Sequence, residues 1–227
     1  MKRRIFLQRI GSILAVMGVT ESSWWRKGSG LQQALADTTP RKLALLVGIN
    51  QYPQIPALKG CLTDVELQRE LLIHRFGFQP SDILSLTNKQ ATREGFENAF
   101  LEHLVKQAKP GDVVVFHFSG YGSRINTKNL LEGMKTTLIP VDGSKEKIGN
   151  YLLEDTLLLM MQSLATERAT AILDTSYYKP SISQPTGLAI RSWKAPLQGQ
   201  FLAEEIEFQK QLTKNIAPDK LSVLLAS

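Results

Sequence analysis

The run Lys42-Leu43-Ala44-Leu45-Leu46-Val47-Gly48-Ile49-Asn50 is apolar from 43 to 49 and carries no two-residue alternation. A strand with one wet face alternates apolar and polar residues, whereas a strand covered on both faces has no reason to. The run therefore predicts a strand inside a largely parallel sheet, with helices lying on both sides.

The flanking sequence extends the pattern. Pro53 and Pro56 interrupt regular structure across 50–59. Thr63 followed by Glu66 has the spacing of a capping box, which predicts a helix opening there. Val65, Leu67, Leu71 and Leu72 would then face the sheet, and Gly77 would end the helix. A second strand is expected over 82–86, and a second helix over 93–107 with Phe96, Phe100 and Leu104 on its inner side. Pro110-Gly111 turns the chain into a strand over 113–118, which runs into Ser119-Gly120-Tyr121-Gly122. There the glycines are expected to admit backbone shapes that other residues resist. A short strand over 137–141, an apolar helix over 155–163 and a strand over 170–173 leading into Asp174 follow. Strands separated by helices make crossover units, and the fold class is α/β. Pro180, Pro185, Gly187, Pro196 and Gly199 mark 179–200 as a long loop. A helix rich in Glu, Gln and Lys to about 215 and a strand over 221–226 come last, as expected for the front part of a longer protein.

The formal net charge of +6 invites a nucleic-acid reading until its distribution is followed. Lys2, Arg3, Arg4, Arg9, Arg26 and Lys27 stand against Glu21 alone in residues 1–36, which leaves the body nearly neutral. No basic run interleaved with aromatics is present, so no nucleic-acid partner is expected. Paired Arg3-Arg4 before Phe6-Leu7, followed by an apolar run over 10–19, reads as an export signal of the twin-arginine type covering 1–36. Ala34-Leu35-Ala36 offers a cleavage site, and earlier cleavage near Ser22 or Ser23 or retention as a membrane tether stays open. Export to a periplasm or thylakoid lumen follows, with membrane contact only through an uncleaved leader. Cys61 is the only cysteine, which excludes an intramolecular disulfide and a multi-cysteine zinc site.

Four signals stand in order: the strand over 43–50, then Gly60-Cys61-Leu62-Thr63-Asp64, then Phe118-Ser119-Gly120-Tyr121-Gly122, then Leu173-Asp174-Thr175-Ser176-Tyr177-Tyr178. Together they resemble the metacaspase and orthocaspase branch of the caspase-like peptidases, over nearly all of 42–226. The resemblance implies a caspase-like three-layer sandwich occupying 42–227 and truncated at its C-terminal end. In that family Ser-Gly is followed by His-Gly, the histidine being the base, and the later strand ends in Asp-x-Cys-His-Ser-Gly, the cysteine being the nucleophile. Tyr121 falls at the histidine position and Ser176 at the cysteine position, while Tyr177, Tyr178 and Lys179 replace the His-Ser-Gly that follows.

Those departures decide the chemistry. A thiol with a pKa of about 8.5 is readily ionised beside histidine, whereas a serine hydroxyl needs a base during attack. Tyrosine, with a pKa of about 10, is only ~0.1% ionised at pH 7 and cannot form the imidazolium pair that steadies a thiolate. Loss of general-base help alone costs roughly 100- to 10,000-fold. His117 lies four residues before Tyr121, about 13 Å along an extended strand, and is expected to be a satisfied core or sheet-edge imidazole. His74 and His103 fall in helices, and no two histidines have zinc-hydrolase spacing. Lys179 raises a serine-lysine pairing that nothing local supports. Cys61 resembles the family's packing cysteine.

By the same resemblance Asp64 and Asp174 match the acids that floor a pocket for Arg or Lys, and the amides of Gly122 and Ser176 match an oxyanion site. Asp64 as a helix cap and Asp174 as an acceptor of loop amides are the alternatives. Calcium dependence stays open, because some metacaspases need calcium but no Asp-rich loop here has calcium-site spacing; no other cofactor is expected. Three functions survive: a silent caspase-like module binding a basic peptide or protein segment, a slow Arg/Lys-directed endopeptidase using Ser176, and a structural interaction domain whose former pocket is filled.

Overall fold

The computed structural model describes residues 40–127, 133–146, 148–177, 190–194, 203–214 and 216. The leader, Tyr178, Lys179, most of the 179–200 loop and the expected 221–226 strand lie outside them. In chain order the elements are β1 (Lys42–Gly48), α1 (Cys61–Phe76), β2 (Ile83–Thr87), α2 (Arg93–Ala99), β3 (Val113–Ser119), β4 (Gly122–Thr127), β5 (Gly133–Leu138), β6 (Leu152–Leu153), α3 (Glu154–Gln162), β7 (Ala169–Asp174) and α4 (Ala203–Thr213).

Strands β2, β1, β3 and β7 form one sheet in that order, and every pairing is parallel. Leu43, Ala44, Leu45, Leu46 and Val47 are wholly buried, as a doubly covered strand demands. The register separates the two faces. Leu43, Leu45 and Val47 lie beside Val114, Phe116 and Phe118, in the core that holds Phe96, Phe100 and Leu104 from the α2 side and Leu157 and Met160 of α3. Ala44 and Leu46 face the other way, with Val115, against Val65 and Leu72 of α1. The result is an α/β fold, a largely parallel sheet flanked by helices on both faces, consistent with a caspase-like three-layer sandwich. Among the described residues no helix is long and apolar enough to cross a membrane.

Several local expectations change. Helix α1 opens at Cys61, two residues before the expected cap, because the Asn50 side chain accepts the Cys61 amide at 2.9 Å and Gly60 turns the chain at φ 92°. Thr63 thus sits inside the helix. Only Val65 and Leu72 of the four predicted contacts are buried; Leu67 is 64% exposed and Leu71 42%. Gly77 does end the helix, in the left-handed conformation at φ 68°. The predicted 93–107 helix closes its α-helical part at Ala99 and continues as a π-helical turn, Phe100–Val105. The strand expected over 137–141 is β5, shifted earlier, and it belongs to a separate antiparallel sheet with β4 and β6. Strand β4 was not expected at all, since Arg124, Asn126 and Thr127 give it little apolar signal.

Candidate functional site

Parallel strands bring their carboxyl ends to one edge of the sheet, where open α/β folds place ligands. Here Ser119 ends β3, Asp174 ends β7, and the two are register partners. Asp64, in the first turn of α1, completes the group: the Ser119 hydroxyl donates to its Oδ2 at 2.9 Å. Into this cluster comes an arginine of the chain itself. Arg191 Nη2 donates to Asp64 Oδ2 at 2.6 Å, and Nη1 reaches Asp174 Oδ2 at 2.5 Å, Ser119 Oγ at 2.7 Å and the Asp174 carbonyl at 3.3 Å. A planar guanidinium suits such a fork of acceptors. The Asp64 arm is the stronger one, because that carboxylate is 29% exposed against 52% for Asp174 and water screens it less. Burial would raise the Asp64 pKa, but the hydrogen bonds from Ser119 and Arg191 outweigh it and hold the carboxyl below the usual range. Burial likewise works against the Arg191 charge, and the bond to Asp64 reverses the balance.

The backbone of the same segment is held as firmly. The Arg191 carbonyl accepts the Gly122 amide at 3.0 Å and the Ser176 amide at 3.1 Å, and Trp193 N–H donates to the Gly122 carbonyl at 2.8 Å. Ser192 thereby forms a parallel bridge with Gly122, and Ser123 Oγ donates to the Trp193 carbonyl at 2.7 Å. Residues 191–193 lie along the start of β4 as a bound peptide would. Gly122 is a glycine for reasons of space: a Cβ there would meet the Ser176 carbonyl and Thr175 Oγ1, each at 2.7 Å. Among the described glycines, left-handed backbone occurs at Gly60, Gly77 and Gly111 and not in this turn.

An aromatic group adjoins this strap of residues 191–193. The Tyr121 ring, 7% exposed, has its centre 5.2 Å from that of Tyr52 and 6.1 Å from that of Trp193. Lys145 Nζ stands 5.4 Å over the Trp193 ring. The Tyr52 hydroxyl accepts the Tyr121 amide at 3.0 Å and donates to the Ile139 carbonyl at 3.1 Å, which fixes the turn after β3. Burial raises the Tyr121 phenol further above its ordinary pKa.

Asp64, Asp174, Gly122 and Ser176 are thus brought together around Arg191, and Tyr121 stands beside them. The Asp64 carboxylate is engaged by Ser119 and Arg191. Cys61 is buried, and burial pushes its thiol pKa up, as fits a packing residue. His117 corrects an expectation: it is 4% exposed, yet neither ring nitrogen has a hydrogen-bond partner among the described residues. Burial pulls its pKa down. Sequence reasoning missed Arg191, Trp193, Ser119 and Tyr52. Arg191 and Trp193 sat in a stretch read as plain loop, and nothing in their spacing links them to strands as far as 72 residues earlier. Among the described residues no three His, Cys, Asp or Glu side chains gather as a metal site.

The fold and this cluster define an α/β domain in which Arg191 is paired with Asp64 and Asp174 at the carboxyl end of a parallel sheet. Residues 42–183 match the metacaspase, peptidase C14 domain, and the chain belongs to that family of cysteine-type peptidase homologues. It is 35% identical over 164 residues to Metacaspase-1 of Candida glabrata, covering 67% of this chain and 40% of that protein. Metacaspase-1 of Meyerozyma guilliermondii is 33% identical over 162 residues, covering 66% and 38%, and that of Sclerotinia sclerotiorum 32% over 173 residues, covering 70% and 39%. The match spans about two fifths of these relatives' length.

Proposed function

We propose that this chain is a catalytically silent caspase-like domain that keeps a recognition pocket for arginine, and that in the resting protein its own Arg191 fills the pocket. The observation that carries the reading is the four-point seating of a guanidinium on Asp64, Asp174 and Ser119. Tyr121 and Ser176 stand at the family's base and nucleophile positions. A buried phenol with a raised pKa is a poorer base still than free tyrosine, which argues against a slow peptidase. The amides of Gly122 and Ser176 keep the role of oxyanion donors in geometry alone, holding a ground-state carbonyl. The partner class is a basic peptide or protein segment that exchanges with the strap. The twin-arginine-like pattern of Arg3-Arg4 and Phe6-Leu7 supports a site of action outside the cytoplasm, in a periplasm or thylakoid lumen. A second reading, a purely structural domain with a filled pocket, is favoured by the same Arg191.

Calorimetric titration with arginine and lysine peptides, followed for cleavage as well as heat, separates these readings. Arg191→Ala should bind an arginine peptide that wild type takes only weakly, and adding Asp174→Asn should weaken it about tenfold, with no cleavage in either protein. Cleavage that Ser176→Ala abolishes would make the chain a peptidase. No binding by a folded Arg191→Ala protein would leave the structural domain.

A further inference from the structure

Tyr121 is idle as a base, yet it is packed against one residue of the strap. Arg191 fills the acidic cluster, the Arg191 carbonyl takes the Gly122 and Ser176 amides, and Trp193, two residues on, returns its amide to Gly122 and lays its ring near Tyr121 and under Lys145. The spacing is dictated by the bridge at Ser192: consecutive residues of an extended segment point to opposite sides, so residues 191 and 193 share a side while 192 points away. We infer that the groove reads a two-part signal, an arginine followed two residues later by an aromatic ring, and that Tyr121 has become the wall of the second subsite.

This rests on the pocket reading above and adds a specificity residue to it. The occupant in trans is a peptide segment of the form Arg-x-aromatic, and residues 191–193 are its copy in cis. The chemistry on the groove side is complementary at both points: two carboxylates for the guanidinium, and an aromatic face with a cation for the indole. Because the cis copy is tethered, its effective concentration is in the millimolar range, and a free peptide must outcompete it.

The test uses the full chain with Arg191→Ala and Trp193→Ala, which empties both subsites, and fluorescein-labelled Ile-Arg-Ser-Trp-amide read by anisotropy. The Trp→Ala peptide should bind about fivefold more weakly, the worth of one aromatic pair, and the Arg→Ala peptide should show no measurable binding. Adding Tyr121→Ala to the protein should make the Trp and Ala peptides bind alike, whereas Tyr121→Phe should keep their difference. Arginine peptides that bind equally well with Trp or Ala would overturn the aromatic subsite and leave the pocket standing. Absence of arginine-peptide binding to a variant that melts like wild type would remove the pocket reading and this one together. If the double substitution unfolds the chain, hydrogen exchange on the otherwise wild-type protein decides: Tyr121→Ala should speed exchange of the Trp193 amide about fivefold, and an unchanged rate overturns the inference.

Discussion

His117 has both ring nitrogens buried without a partner among the described residues, two positions before Ser119 on the same side of β3. Its register partner on β7 is Ile172, two positions before Asp174, and on β1 it is Leu46. The charged groups that act on it are Asp174, Asp64 and Arg191. Burial lowers its pKa, so below about pH 6.5 the unfolded chain takes up a proton that the folded chain refuses. Stability should therefore fall as pH drops from about 6.5, and His117→Leu should flatten that part of a urea-midpoint profile. A wild-type midpoint that is constant between pH 7 and pH 5.5 would contradict the assignment. Asp64 acts in a lower window. Its depressed pKa gives stability that is complete above about pH 4 and lost in stronger acid, so the clamp on Arg191 persists through the neutral range. Asp64 and Asp174 could be singled out in the sequence because each sits in a recognisable motif. Arg191 was illegible because a single arginine in a Pro- and Gly-rich stretch has no local signature; only the folded register tells which acids it meets.

Among the elements, strand and helix order was legible because burial on both faces leaves its mark in β1 and β3. The boundaries were not, where a tertiary hydrogen bond overrode a local one, as Asn50 does at the start of α1. Helix α4 shows the same limit. Its sequence reads as a solvated face of Glu, Gln and Lys, yet Glu205 is 3% exposed and paired with Arg93 of α2. Arg93 also pairs with Glu97 and donates to the Tyr151 carbonyl at 2.7 Å, while Thr156 of α3 donates to Glu205. The network ties α4 to α2 and α3, downstream of the strap. Glu205→Ala leaves Arg93 its Glu97 and Tyr151 partners but strips one arm of the buried guanidinium, so it should cost roughly 1–3 kcal/mol in chemical denaturation. A loss below about 1 kcal/mol would mean that Arg93 finds other partners or water, and that α4 is not anchored by this pair.

For the whole molecule, the outer edge of β7 pairs with no strand among the described residues, and Thr170 and Ala171 are exposed there. The α/β frame and its family were readable from four ordered motifs; the self-occupied site was not, because it joins residues 119, 174 and 191 through the tertiary fold. If the frame is the family's and the chemistry alone was replaced, Tyr121→His with Ser176→Cys should restore a thiolate held by an imidazole. Its first substrate would be the peptide already in place. The sulfur would attack the Arg191 carbonyl carbon, the Gly122 and Ser176 amides would hold the oxygen, and the bond to the Ser192 nitrogen would break as the new histidine gives that nitrogen a proton. Water would then release Arg191 from the thioester. Intact-mass spectrometry over time measures this directly: wild type should stay whole, the double variant should split between Arg191 and Ser192, and either single variant should do so about 100-fold more slowly or not at all. A wild-type chain that splits there, or a double variant that melts like wild type yet stays whole and inert toward arginine peptides, would contradict the account.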